Sequence, residues 1–385
     1  MNERIELVKD TISNEDVNEL KEWLSTYPHL TQGKLVKEFE EKFAEWNGSK
    51  YAVMVNSGSS ANLLISYYLR ECHPLKNRNV IVPAISWGTT VMPWIQFGYN
   101  PILCDANENN LGVDTNHLEE LFIKHNPSVM MLVHVLGFPC DMDRINELCK
   151  KYDVILLEDC CEATGSNYNG TKVGNFGLLN SFSTYFGHTF STIEGGIITT
   201  NDETIYNILK MLREHGWTRN IPSQKMKDGL KEQYNVDDFN DVFTFYIPAF
   251  NLRSTDLNAK LGLIQLKKLD LMIESRYQNY KIYQSLINNP YWKINPSENL
   301  ICNFSYPIIS NNRSKLVEEL RKNNISCRPL IAGNIGNHPF WTDKYGKSKL
   351  PFADKIHAEG LYLPNYYGLK KEEIEFICKI VNENI

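Results

Sequence analysis

Apolar residues along this chain fall into two rhythms. Val17, Leu20 and Leu24 recur at helical spacing behind a capping box, Ser13-x-x-Asp16, and predict an amino-terminal helix. Leu35, Phe39, Phe43 and Trp46 mark a second amphipathic helix that stops at Asn47-Gly48. From Tyr51 onward short unbroken apolar runs take over, at 51–55, 80–83, 101–104, 129–135 and 154–157. Runs of this kind suit strands covered on both faces. Helical stretches at 61–69, 115–124 and 143–152 lie between them, so the alternation predicts an α/β fold with a mostly parallel central sheet. Residues 181–196 begin as an apolar/polar alternation and end in Glu194-Gly195-Gly196, which leads into a second short strand at 197–200.

Beyond that hairpin the pattern predicts a helix at 202–215, and then a polar stretch at 222–241 with no clear period, read as a long surface loop. A long helix follows at 257–276. A smaller unit comes last: a strand at 302–308, a helix at 314–323, a strand at 326–330 and a closing helix at 371–382. The expected division is therefore a large α/β unit with the amino-terminal helices, 1–270, and a small carboxyl-terminal α/β unit, 271–385.

Composition narrows the function classes. A net charge of −6 with no basic run supplies no electrostatic reason to bind nucleic acid. The longest apolar stretch, 129–139, is interrupted by His134 and is too short to span a bilayer. Residues 1–10 are charged and lack the apolar core of a signal peptide, so the expected location is the cytoplasm. The cysteines number nine, an odd count, and most sit inside apolar runs as small hydrophobes. With no C-x-x-C pair and no cysteine from 162 to 301, a disulfide framework, a zinc site and an iron–sulfur cluster are all unexpected.

Candidate chemistry gathers where strands end, as it does in open α/β sheets. Ser57-Gly58-Ser59-Ser60 joins a strand to a helix and suits a phosphate, or is a plain turn. Trp87 follows a strand and is either a stacking plate for a flat ring or rim packing. Asp159 ends a buried strand, with Glu162 three residues on; such a carboxylate needs a cationic partner, or it caps the next segment. Ser183 and His188 follow in the hairpin, although a lone histidine is commonly structural. His215, Arg219 and Arg253 stand in polar loop stretches that suit an anionic substrate or are surface charges.

Taken together, seven stretches resemble the sugar aminotransferase family, vitamin B6-dependent enzymes of the aspartate aminotransferase fold. They are Asn-Ser-Gly-Ser-Ser-Ala-Asn (56–62), Pro-Ala-Ile-Ser-Trp (83–87), Leu-Glu-Asp-Cys-Cys-Glu (157–162), Gly-Asn-Phe-Gly (174–177), Ser-Phe-Ser (181–183), Glu-Gly-Gly (194–196) and Asn-Leu-Arg (251–253). The resemblance implies that Ser57, Gly58 and Ser183 hold the phosphate of pyridoxal or pyridoxamine phosphate, that Ser59 binds the same cofactor and that Trp87 stacks on its ring. It implies Asp159 paired with the protonated ring nitrogen, Glu162 beside the ring, and Asn251 reaching the cofactor of the other subunit of a homodimer.

One position departs from the family pattern. His188 stands where the aminotransferases have their Schiff-base lysine, and that replacement marks the sugar 3-dehydratases. The implied activity is loss of water at C3 of a nucleotide-linked 4-keto-6-deoxy sugar, GDP-4-keto-6-deoxymannose or its heptose analogue, with L-glutamate restoring the cofactor. His188 becomes the implied acid/base. His215, Arg219 and Arg253 become candidates for the nucleotide-sugar. Many dehydratases carry a second adjacent histidine, whereas Thr189 occupies that position here. An aminotransferase working without the lysine, or a silent cofactor-binding regulatory protein, are the other readings.

Overall fold

The computed structural model describes residues 3–288 and 299–385. Its large sheet is built from β1 (Tyr51–Val55), β2 (Asn79–Pro83), β3 (Asn100–Cys104), β4 (Val129–Val133) and β5 (Ile155–Asp159). A two-stranded ribbon, β6 (Asn167–Tyr168) and β7 (Thr171–Lys172), precedes its last members, β8 (Leu179–Ser183) and β9 (Gly196–Thr200). The order is β1-β9-β8-β5-β4-β2-β3. Only β9 runs against its neighbours, so the expected mostly parallel sheet is present and the 181–196 stretch is an antiparallel hairpin.

Burial explains the unbroken apolar runs. All five residues of β4, β8 and β9 are buried, as strands sandwiched between helices require. Register brings the carboxyl ends of three strands level: Val133 lies beside Asp159, and Asp159 beside Ser181. The helix Gly58–Glu71 begins at that same edge, with Ser57 as its cap, three residues earlier than the apolar pattern alone indicates.

The carboxyl-terminal unit carries a three-stranded antiparallel sheet in the order β10 (Tyr306–Ile309), β12 (Gly360–Leu363), β11 (Arg328–Pro329). Its central strand, β12, was not evident from the pattern, because four residues behind the helix Pro351–Glu359 offer too short a run. The expected strand at 302–308 starts at Tyr306; the residues before it are held irregularly, with the Cys302 amide donating to Ser166 Oγ and the Phe304 amide to the Leu136 carbonyl. The amino-terminal segment joins this unit, since Ile5 forms a bridge with Ile325.

Two further elements differ from the pattern. Residues 222–241 are not a loop but carry the helices Gln224–Tyr234 and Asp238–Asp241, capped by Ser223 and Asp237. Neither helix buries a residue, so no apolar stripe exists to reveal it. The long helix expected at 257–276 is two, Asp256–Leu266 and Leu269–Leu286, broken at Lys267-Lys268 with no glycine or proline to mark the break.

Candidate active site

The ends of β4, β5 and β8 open into a cavity of about 350 Å³. Eight of the residues singled out in the sequence line it: Ser57, Gly58, Ser59, Trp87, Asp159, Glu162, Ser183 and His188. The small sheet closes the opposite side with Arg328 and Tyr362, and the amino-terminal segment adds Leu7 and Val8.

One end of the cavity is the start of the helix Gly58–Glu71. Ser57 Oγ accepts from the Ser60 amide (3.0 Å), and Ser59 Oγ lies 2.8 Å from Thr89 Oγ1. The backbone is drawn tightly against the hairpin here: a Cβ on Gly58 would fall 2.7 Å from Ser183 Cβ, and one on Gly196 would fall 2.2 Å from the Ser57 carbonyl oxygen. Glycine at these two places lets a helix N-terminus, two serines and the β8 end converge, a cradle suited to an anion.

Asp159 forms the floor. Its Oδ2 accepts from Asn62 Nδ2 and Thr90 Oγ1, each at 2.8 Å, and its Oδ1 accepts from the Cys161 amide at 3.1 Å. Ser181 Oγ in turn donates to Asn62 Oδ1 at 2.6 Å, which fixes the amide. A carboxylate accepts about four hydrogen bonds. Three donors hold this one in place and leave it acceptor capacity towards the cavity.

Glu158, next along β5, points to the other face. It accepts from the amides of Gly174 (2.8 Å), Phe176 (2.7 Å) and Gly177 (2.6 Å), and meets His134 Nε2 at 3.0 Å. The Gly-Asn-Phe-Gly stretch is thus folded around a carboxylate. His134, Glu158 and Cys160 stand close enough to hold a metal ion, but both ring nitrogens of His134 are engaged, Nε2 by Glu158 and Nδ1 by the Cys140 amide, and Glu158 is filled by the three amides.

Glu162 accepts from the Leu136 amide at 2.8 Å, and burial pushes its carboxyl up to about 8, against that bond and with the Asp159 charge adding to the rise. His188 sits in the turn after β8, not on the strand, with its ring 5.2 Å from that of Phe304. Burial lowers its imidazole to about 4; a bond to the Cys161 backbone and the Asp159 charge oppose that shift, and the Arg276 charge assists it. Its Nδ1 is buried without a partner. The ring is therefore neutral at pH 7, with a free proton-accepting atom.

Trp87 is 58% exposed and lines the cavity, a flat apolar surface left more than half open. Asn251, Arg253, His215 and Arg219 do not line the cavity. Arg253 Nε donates to Asn251 Oδ1 at 3.0 Å on the surface, Arg219 lies over Trp217 (4.8 Å) and Phe243 (5.4 Å), and the His215 ring packs on Trp217 at 4.8 Å.

Several contributors escaped the sequence reading. Asn62 stands within the quoted stretch 56–62, and the need of a buried Asp159 for donors was a signal for it. Thr90, Arg328 and Tyr362 had no such signal, since they arrive from separate elements, and Tyr185 lies unmarked between Ser183 and His188.

The whole chain was compared with known proteins. Residues 10–382 match the model of the DegT/DnrJ/EryC1/StrS aminotransferase family. The GDP-4-keto-6-deoxy-D-mannose 3-dehydratase of Yersinia pseudotuberculosis is 34% identical, covering 92% of each chain. The GDP-perosamine synthase of Escherichia coli O157:H7 is 30% identical over 94% of this chain and 92% of its own. Among solved structures, a GDP-4-keto-6-deoxymannose-3-dehydratase with a trapped PLP-glutamate geminal diamine superposes with a TM-score of 0.88 at 32% identity, covering 97% of this chain and 99% of its own. The E. coli enzyme with bound hydrated PLP does so with a TM-score of 0.88 at 31% identity, covering 98% and 100%. The sheet and its helices are those of the PLP-dependent sugar aminotransferase fold, and the chain belongs to the DegT/DnrJ/EryC1/StrS aminotransferase family.

Proposed function

We propose that the protein is a vitamin B6-dependent nucleotide-sugar 3-dehydratase that acts on GDP-4-keto-6-deoxymannose or its heptose analogue. The observation that carries this reading is His188: a neutral imidazole with an unpartnered Nδ1 stands in the cavity where the family's aminotransferases have lysine. No lysine is found among the described residues lining the cavity. The two lysines nearest in sequence are engaged elsewhere, Lys172 over the Trp46 ring (3.9 Å) and Lys210 beside Glu40 (3.6 Å).

The residues present fit pyridoxamine phosphate. The cradle of Ser57, Gly58, Ser59 and Ser183 suits its phosphate, the exposed indole of Trp87 suits a ring face, and the spare acceptor of Asp159 suits a protonated ring nitrogen. When bound, the cofactor supplies an amine for the sugar's 4-keto group and an electron-accepting ring. His188 then takes a proton at Nδ1 and returns it to the departing C3 oxygen. An imidazolium in this desolvated place is a strong acid, which suits delivery to a poor leaving group. Glu162 is protonated at neutral pH and serves as a hydrogen-bond donor beside the ring. L-Glutamate restores the amine form.

A homodimer with shared sites accounts for the residues outside the cavity. Asn251, Arg219 and Arg253 are exposed, and Phe239, Phe243 and Phe245 add large exposed apolar surface within the same span of sequence. In the dimer these groups serve the partner's cavity, and the Arg219–aromatic cluster has the chemistry suited to a base or diphosphate. The product feeds 3,6-dideoxysugar synthesis for lipopolysaccharide or capsule, in the cytoplasm. No described helix is long and apolar enough to cross a membrane.

The test is turnover with pyridoxal phosphate, glutamate and GDP-4-keto-6-deoxymannose. Ammonia and a 4-keto-3-deoxy sugar are the expected products; a stable amino sugar identifies an aminotransferase instead, and no turnover on a panel of nucleotide keto sugars identifies a silent binding protein. His188→Lys should gain the absorbance of an internal Schiff base and lose dehydration.

A further inference from the structure

Arg276 lies midway along the helix Leu269–Leu286 and is fully buried. Its Nη1 donates to the carbonyls of Phe304 (2.9 Å) and Asn365 (2.5 Å), and its Nη2 to the carbonyl of His188 (3.0 Å). Its Nε is buried with no partner. A buried guanidinium ordinarily faces a carboxylate. Arg213 of the same chain does so, held between Glu40 and Glu214. Arg276 has no ion pair among the described residues and spends its donors on main-chain oxygens alone.

The surroundings tie this cation to the imidazole. The Phe304 ring is 5.9 Å from the Arg276 guanidinium carbon and 5.2 Å from the His188 ring. Asn365 is also buried, and donates to the carbonyls of Arg276 (3.2 Å) and Asn303 (2.8 Å). Four segments distant in sequence therefore meet at one side chain, and the turn carrying His188 is one of them.

We propose that Arg276 is a positioning residue for His188: it fixes the main chain at the acid/base and, as a buried cation without a counter-ion, opposes a second positive charge on the ring. Other groups face the same space. Asp159, Cys161 and Glu162 come from the β5 end, Tyr185 and Glu194 from the hairpin, Arg328 and Tyr362 from the small sheet, and Cys302 packs on Thr189 at 3.6 Å. Of these, Asp159 is engaged by three donors, Glu162 is neutral at pH 7, and burial raises the Cys161 and Cys302 thiols, so neither sulfur carries charge there. Arg276 is the fully buried cation of the set. The stored asymmetry favours a ring that starts as a base and surrenders its proton quickly.

This inference rests on the reading of His188 as the acid/base, and its test separates the two. Ring-15N-labelled histidine is followed by NMR against pH in the enzyme with and without pyridoxamine phosphate, with His188 assigned by its loss in His188→Asn. In the wild type the ring should stay neutral at pH 6. Arg276→Gln should raise the titration by about one unit, to about 5, which lowers turnover at pH 4.5 about threefold relative to pH 8. Arg276→Lys keeps the charge but not the three-carbonyl grip, so it should hold the wild-type titration while turnover drops at every pH. A folded Arg276→Gln with an unmoved titration and pH profile overturns the proposal. If that variant does not fold, a wild-type ring titrating at the ordinary value of about 6.5 overturns it as well. Full dehydration by His188→Asn would instead sink the acid/base reading.

Discussion

Glu158 and Asp159 are neighbours on one strand and face opposite sides of one sheet. Glu158 is saturated: three amides and an imidazole converge on it, and the loop at 174–177 takes its shape from that convergence. Asp159 is held by three donors and keeps acceptor capacity towards a cavity. Both are buried carboxylates at the end of an apolar run, and neither burial nor position in the sequence tells them apart. What differs is whether the protein has used every lone pair. A carboxylate whose acceptors are all filled by backbone is a folding element; one with capacity left is waiting for a ligand.

Three substitutions can break or sharpen that contrast. The largest effect is expected from Asp159→Asn. It keeps the shape but replaces a carboxylate able to pair with a protonated ring nitrogen by a neutral amide, so turnover should fall about 10²–10³-fold. Its melting temperature should fall less than that of Glu158→Gln, because one backbone amide rather than three points at the carboxylate. An Asp159→Asn enzyme with full activity would place Asp159 in the same class as Glu158. Glu158→Gln should do the reverse. Loss of a charge-assisted acceptor shared by three amides costs about 3 kcal/mol, read by denaturant unfolding, and any loss of activity should track the loss of folded protein. A variant as stable as the wild type but inactive would overturn the division.

The smallest effect concerns Glu162, which lies between the two cases with one amide donor and a cavity-facing side. Its folded-state pKa, pushed up to about 8 by burial, exceeds the ordinary carboxyl value. The folded protein therefore binds more protons than the unfolded chain between about pH 4.5 and 8, and this contribution to stability is lost as pH rises through that window. Glu162→Gln should flatten that decline in the cofactor-free protein, measured as unfolding midpoints at pH 5, 7 and 8.5. An unchanged slope would mean that Glu162 is ionised in the folded state.

The same contrast shows how much of the molecule was legible in its residues. Residues at strand ends were readable, because apolar runs locate the strands and α/β sheets gather ligands at their carboxyl edges. Eight of the residues so chosen meet in one cavity. Thr90, which orients Asp159 together with Asn62, was not readable, since its role exists only once a second helix reaches the floor of the site. Arg276 was hidden for a similar reason: in the sequence it is a cation at the end of a helical stretch, and only the fold reveals that its partners are carbonyls. The helix Gln224–Tyr234 was missed on other grounds, having no buried face to give it a period.

The amino-terminal segment has a practical consequence. Ile5 is stitched to Ile325, Leu7 and Val8 wall the cavity, and the Lys9 ammonium lies over the Tyr366 ring at 5.1 Å. A purification tag or fusion partner joined ahead of these residues lies a few peptide units from the cavity wall, whereas no residue of the helix Lys371–Asn382 lines the cavity. Where a handle is attached is thus a choice about the active site, and kinetic comparisons between laboratories should hold the tagged end constant.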